Sequence, residues 1–171
     1  YQGLVYMDFD EATMARQGYG EYVELDSALL PPLYIAYRTE LAEISGVFHR
    51  GLRRRYLGRD PEVLAAVDAW ASMTDDVRGA LETGASDQIG AILDRNFDTR
   101  VALGGVNDGN RELVRIARSV GASAKLTGSG GAIIGTIADD VMFAKLEAAC
   151  EPHNIVVIKP EFVPPVGDSV P

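Results

Sequence analysis

The sequence predicts an α+β fold, a ferredoxin-like sandwich of strands backed by helices, with extra helices inserted. Three observations predict it. Short strand-like runs stand at 33–37, 122–126, 132–138 and 154–158, all but the second rich in β-branched or aromatic residues. Between them lie helical periodicities, so that the order is strand, helices, strand, strand, helix, strand. That order is the ferredoxin-like βαββαβ pattern with additional helices.

The elements follow in chain order. Leu4, Val5, Tyr6, Met7 and Phe9 form a strand-like run, and Gly18-Tyr19-Gly20 is a turn signal before Tyr22-Val23-Glu24-Leu25. Pro31-Pro32 stops any helix ahead of the buried strand at 33–37. Ser45 is placed to cap a helix running to about Leu57, with Phe48, Leu52 and Tyr56 on one face. Asp60-Pro61 is a helix start, cap followed by first-turn proline. From there Val63, Val67, Trp70, Val77 and Leu81 keep helical spacing until Gly84. Ser86 is expected to cap a third helix carrying Ile89, Leu93, Phe97 and Val101. The fourth runs from about Asn110 to Val120 and stops at Gly121. After the strands at 122–126 and 132–138, Asp139 or Asp140 caps a helix to about Cys150, and the last strand is 154–158.

Composition narrows the functional classes. The 171 residues are 47% apolar and 24% charged, enough for one compact domain with a core. A formal charge of -9 leaves no general basic field to attract nucleic acid. No apolar stretch is long enough to span a bilayer, and no signal-peptide pattern is visible. The single cysteine, Cys150, has no internal disulfide partner and reads as a core thiol. A reducing cytoplasm fits this best. The chain opens at Tyr1, already in a strand-like run, and is expected to be cut from something longer.

The stretch Thr127-Gly128-Ser129-Gly130-Gly131 carries the most chemistry. A minimal hairpin needs two turn residues; here five small residues, three of them glycine, join two strands. Such a loop lets the backbone approach a ligand closely, and successive N–H groups make an anion-binding concavity suited to phosphate. It is equally a plain flexible turn. It is neither a Walker motif, lacking Gly-Lys-Ser/Thr, nor a dinucleotide fingerprint, since a strand follows it.

With the helix before it, the run from Leu113 through Gly121-Ala122 and Lys125 to Gly131 resembles the third conserved motif of the galactokinase/homoserine kinase/mevalonate kinase (GHMP) superfamily. A narrower likeness rests on Gly3-Leu-Val-Tyr-Met-Asp-Phe9, Leu29-Leu-Pro-Pro-Leu-Tyr34, Ser45-Gly46 with His49, Arg53 and Arg55, and Asn96-Phe97 with Arg100. These stretches resemble glucuronokinases of plant type. The resemblance implies an ATP- and Mg2+-dependent sugar or sugar-acid 1-kinase, of which this chain is the C-terminal part. The family's first two motifs and its activating carboxylate are absent from these residues, so the chain is expected to be inactive alone. Residues 1–27 are then expected as remnant strands of an absent N-terminal ATP-binding domain, 28–160 as the kinase C-terminal domain, and 161–171 as a loose tail.

The resemblance gives several residues a role beside their plainer reading. Thr127, Gly128, Ser129, Gly130, Gly131 and Lys125 are expected at the ATP phosphates; Lys125 is otherwise a surface lysine. Asn96 and Arg100, one helical turn apart, are either the polar border of a helix or contacts to substrate, Arg100 offering a planar fork for a carboxylate or phosphate. Arg50, Arg53, Arg54 and Arg55 form a cationic patch, a solvated face or a hold on sugar acid and phosphates. Arg53 and His49 are the members assigned to substrate. His49 has no second His or Cys at metal-ligand spacing, and Asp139-Asp140 read as capping, so no metal ligand is expected here. The alternative function is a ferredoxin-like module that binds a small ligand or dimerises without chemistry.

Overall fold

Four antiparallel strands carry the larger of the two units into which the chain divides, Pro31–Pro160; the smaller comprises Tyr1–Leu30 with Glu161–Pro171. The computed structural model describes residues 3–38 and 46–161, except the side chains of 46–49. Ser45, the expected cap, and the tail beyond Glu161 lie outside the described residues.

In the smaller unit β1 (Leu4–Asp8) pairs antiparallel with β2 (Glu21–Leu25), Leu4 opposite Leu25 and Asp8 opposite Glu21. The link between them is not the expected turn alone but a helix, α1 (Glu11–Gln17). Asp10 caps it by accepting from the Thr13 N–H, and Gly18 ends it in the left-handed region. Phe9 meets Tyr22 edge to face at 5.9 Å.

The larger unit runs β3 (Leu33–Tyr37), α2 (Gly46–Leu57), α3 (Pro61–Glu82), α4 (Ile89–Ala102), α5 (Asp108–Ser119), β4 (Lys125–Leu126), β5 (Ala132–Thr136), α6 (Asp140–Cys150) and β6 (Val156–Ile158). The sheet order is β4-β5-β3-β6, every neighbouring pair antiparallel. This is the ferredoxin-like arrangement: β3-α5-β4-β5-α6-β6 make the sandwich, and α2, α3 and α4 are the insertion. Alternation along β3 buries Tyr34 and Ala36, and along β5 Ile133 and Gly135. Against that face pack Leu113, Val114, Ile116 and Ala117 of α5 and Leu146 and Cys150 of α6. Each such Leu or Ile contributes roughly 1.5–3 kcal/mol by leaving water.

The boundaries differ from expectation where side chains take over from the ladder. The expected strand 122–126 pairs only as Lys125–Leu126. Upstream, the Ala124 N–H donates to Asp94 Oδ1 at 2.8 Å and the Ser123 carbonyl accepts from the Tyr34 hydroxyl at 2.7 Å. Ser86 does not cap α4; it opens a one-turn 3-10 segment, Ser86–Gln88, and the helix starts at Ile89. α5 starts earlier than expected, capped by Asn107, whose side chain accepts from the Asn110 N–H. That puts Asn110 inside the first turn, only 1% exposed. β5 ends at Thr136, and β6 starts at Val156 because Asn154 is left-handed, with φ 54°.

Candidate functional site

The five-residue loop between β4 and β5 is closed at its base by the Thr127 N–H, which donates to the Ala132 carbonyl at 3.1 Å. Two side chains from the helical layer then hold it. Arg100, in the last turn of α4, donates through Nη1 to the Gly128 carbonyl at 2.6 Å and through Nη2 to the Ser129 carbonyl at 3.1 Å. Asn110 of α5 accepts the Gly131 N–H at Oδ1, 2.8 Å away. The Gly131 carbonyl in turn accepts from the Arg38 N–H at 2.9 Å, tying the loop to the end of β3. Gly130 and Gly131 have φ of 150° and 78°, conformations that L side chains rarely adopt.

This geometry gives two of the expected site residues partners inside the fold. The Gly131 amide is occupied by Asn110, so it is not presented outward as a phosphate donor. The Arg100 fork donates to two loop carbonyls, so its first partners are main-chain groups of the loop itself. The amides of Gly128 and Gly130 have no acceptor among the described residues.

Beside the loop lies a cavity of about 270 Å³. Asn96, Arg100, Lys125, Thr127 and Gly128 all line it, so five of the expected site residues meet at one place. Leu52 of α2 and Trp70 of α3 complete its helical side, and the Trp70 indole N–H donates to the Asn96 carbonyl at 3.3 Å. Lys125 is half-buried; its Nζ donates to the Leu126 carbonyl at 2.9 Å. Burial first, and the nearby Arg100 charge second, push its pKa below the usual 10.5. A wider recess of about 720 Å³ along α3 and α4 is lined by none of the expected site residues.

The other expected residues are not gathered there. Arg53 is exposed on α2 and does not line the cavity. His49 belongs to α2, but its side chain is outside the described set. Of the cationic patch, Arg55 is committed elsewhere: it pairs with Asp60 at 2.7 Å and Glu62 at 3.1 Å and reaches the Leu103 carbonyl. Its hydrogen bond holds the Asp60 carboxyl below the ordinary carboxylate range. Asp139 caps α6 through the Met142 N–H, and Asp140 pairs with Lys159 at 2.6 Å. Among the described residues no three His, Cys, Asp or Glu side chains gather as a metal-binding set.

A second brace positions β4 and hence Lys125. Arg118 pairs with Asp94 and Asp98, each at 2.8 Å, and stands 5.3 Å from the Phe97 ring centroid. The same Asp94 carboxylate accepts the Ala124 N–H. Asp94→Ala removes two charge-assisted bonds at once and is expected to cost about 2 kcal/mol. Urea unfolding checks this; an unchanged midpoint would show the brace to be energetically idle.

The α+β fold is consistent with the C-terminal domain of a GHMP kinase and has solved mevalonate kinases among its structural neighbours. The fold matches L. major mevalonate kinase bound to R-mevalonate with a TM-score of 0.70, at 15% identity, over 86% of this chain and 48% of that one. Mevalonate kinase from methicillin-resistant Staphylococcus aureus matches with a TM-score of 0.57 over 84% of this chain and 46% of its own. More particularly, the chain is homologous to glucuronokinases. It is 35% identical over 166 residues to probable glucuronokinase 2 of Arabidopsis thaliana, and 36% identical over 137 residues to glucuronokinase 1 of the same plant. The chain spans less than half of those relatives, 45% and 38% of their lengths, and matches their C-terminal part. No protein-family profile matches it.

Proposed function

We propose that the protein carrying this chain transfers the γ-phosphoryl group of ATP to the anomeric oxygen of a sugar acid, and that this chain forms the wall facing sugar and phosphate. The carrying observation is the cavity beside the glycine loop. In a chain of net charge -9, its lining holds Lys125 and Arg100 and no acidic residue. An anionic ligand suits such a site. Lys125 offers a point charge to a carboxylate, Asn96 both donates and accepts toward hydroxyls, and Trp70 and Leu52 supply apolar contact.

Phosphoryl transfer asks mainly for positioning and charge stabilisation. The amides of the loop would meet phosphoryl oxygens as negative charge shifts onto them. Mg2+, when bound with the nucleotide, neutralises phosphate charge; the described residues offer no ligand set for it, so residues elsewhere in the protein would hold it. The activating base would likewise come from elsewhere, and the chain alone would turn over no ATP. In this reading 1–27 belong with the nucleotide-binding half and 28–160 form the C-terminal domain. Among the described residues no helix is long and apolar enough to cross a membrane. A cytoplasmic enzyme, where ATP is at hand, is the setting this reading requires.

The test is ADP release by the full-length protein with ATP, Mg2+ and, in turn, glucuronate, galacturonate, galactose, arabinose and a heptose phosphate. Sugar acids are expected to give the highest kcat/KM, and Lys125→Met to raise the KM for the acid tenfold or more, about 1.4 kcal/mol. The pH dependence follows from the lowered pKa. Lys125 sheds its proton below pH 10.5, so affinity for the acid should fall on the alkaline side earlier than for an ordinary lysine. Chain stability should rise through that same window, because the unfolded lysine still binds its proton there. Failure of every sugar to release ADP above background would leave a binding module without catalysis.

A further inference from the structure

We infer that Arg100 is a positioning residue that sets the direction of the loop amides, and that Asn110 is its counterpart at the other end of the loop. This rests on the phosphoryl-transfer reading for its purpose, though not for its geometry. Peptide units are planar, and none in the described residues is cis. In a trans unit the carbonyl of one residue and the N–H of the next point in opposite directions. Arg100 draws both the Gly128 and the Ser129 carbonyls to a single guanidinium. The N–H groups that follow them, those of Ser129 and Gly130, are therefore both turned away from it. Two successive amides facing the same way are the start of an anion-binding concavity.

Asn110 sets where that run of amides ends. Its Oδ1 takes the next N–H, that of Gly131. The side chain is essentially fully buried in the first turn of α5, where Asn107 already supplies the cap, so helix capping does not account for it. A Cβ on Gly130 would run into its amide group, so the two residues fit as a pair. Arg100 from α4 and Asn110 from α5 thus hold the loop at two points. A lysine cannot replace Arg100, because a single ammonium does not reproduce a planar fork spanning two carbonyls.

The discriminating experiment compares the full-length protein with its Arg100→Lys and Arg100→Met variants, using glucuronate and the corresponding uncharged hexose. Misplacing the loop is expected to lower kcat tenfold to a hundredfold for both sugars, with each KM within about threefold. A rise in KM for glucuronate alone, with kcat kept, would make Arg100 a carboxylate ligand and overturn the inference. An activity-free measurement separates this from failure of the kinase reading. In 15N–1H spectra of the 171-residue chain, Arg100→Lys should shift the Ser129 and Gly130 amides and Asn110→Ala the Gly131 amide. Unmoved loop amides in either variant defeat the inference, whatever the protein phosphorylates.

Discussion

Gly135→Ala is expected to lower the melting temperature of the chain by about 10 °C or more, the largest stability loss of any small substitution considered. Gly135 is the penultimate residue of β5, opposite Tyr34 of β3. A methyl group there would overlap the Ser123 carbonyl oxygen and stand 2.6 Å from its carbon and 2.8 Å from Tyr34 Cε1. Two of the obstacles are backbone atoms, which cannot swing aside as a side-chain tip can. The carbonyl in question also accepts the buried Tyr34 hydroxyl, itself held neutral by burial to far above ordinary pH. Pushing it away breaks that bond as well as the approach of 122–124 to β5. Overpacking and one stranded hydroxyl together are expected to cost about 3 kcal/mol or more. Thermal unfolding followed by circular dichroism measures it; a shift under about 2 °C would mean that the crowding is not real.

The largest functional effect is expected from Gly130→Val in the full-length protein. With φ at 150°, any side chain there is strained, on the order of 1–3 kcal/mol. The new Cβ also meets the buried Asn110 amide group, with Asn110 Cγ 3.1 Å away. Either relief, a turned backbone or a displaced Asn110, moves the amides proposed to face the phosphoryl group. A fall in kcat of about a hundredfold is expected, the size typical for losing one preorganised donor. Gly128→Ala is the control for folding: a Cβ there meets nothing within 4 Å, so the melting temperature should stay put. Steady-state kinetics decide it, and Gly130→Val with wild-type kcat would remove the loop from the chemistry.

The strand and helix order was readable because most elements carry their own signals. Asp60-Pro61 starts α3 and Asp139 caps α6 through chemistry local to a few residues. α1 was missed because seven residues with none buried leave no hydrophobic stripe; Asp10 and Gly18 were its only marks. The short β4 was not foreseeable from propensity, since Asp94 and Tyr34, far away in sequence, take the polar groups that a longer ladder would use. At the site, Asn96, Arg100, Lys125 and the first two loop residues, Thr127 and Gly128, line one cavity, whereas Ser129, Gly130, Gly131 and Arg53 do not. The sequence did not reveal what Arg100 holds: a fork beside a helix reads the same whether it faces solvent, a ligand or a carbonyl. Asn110 was overlooked for a related reason. A polar residue near a helix start looks like a cap, and only the fold shows it buried against a glycine.

Cys150 turns this architecture into a convenient reporter. It is the single sulfhydryl of the chain, 2% exposed at the last residue of α6, and burial lifts its pKa to about 11. Near neutrality roughly one molecule in ten thousand carries the reactive thiolate, and even that one is shielded. Alkylation must wait until the helix lifts from the sheet, so the rate of iodoacetamide labelling counts those openings. Damage anywhere in the sandwich can then be timed at one atom, with no engineered probe and no need for the protein to turn over a substrate.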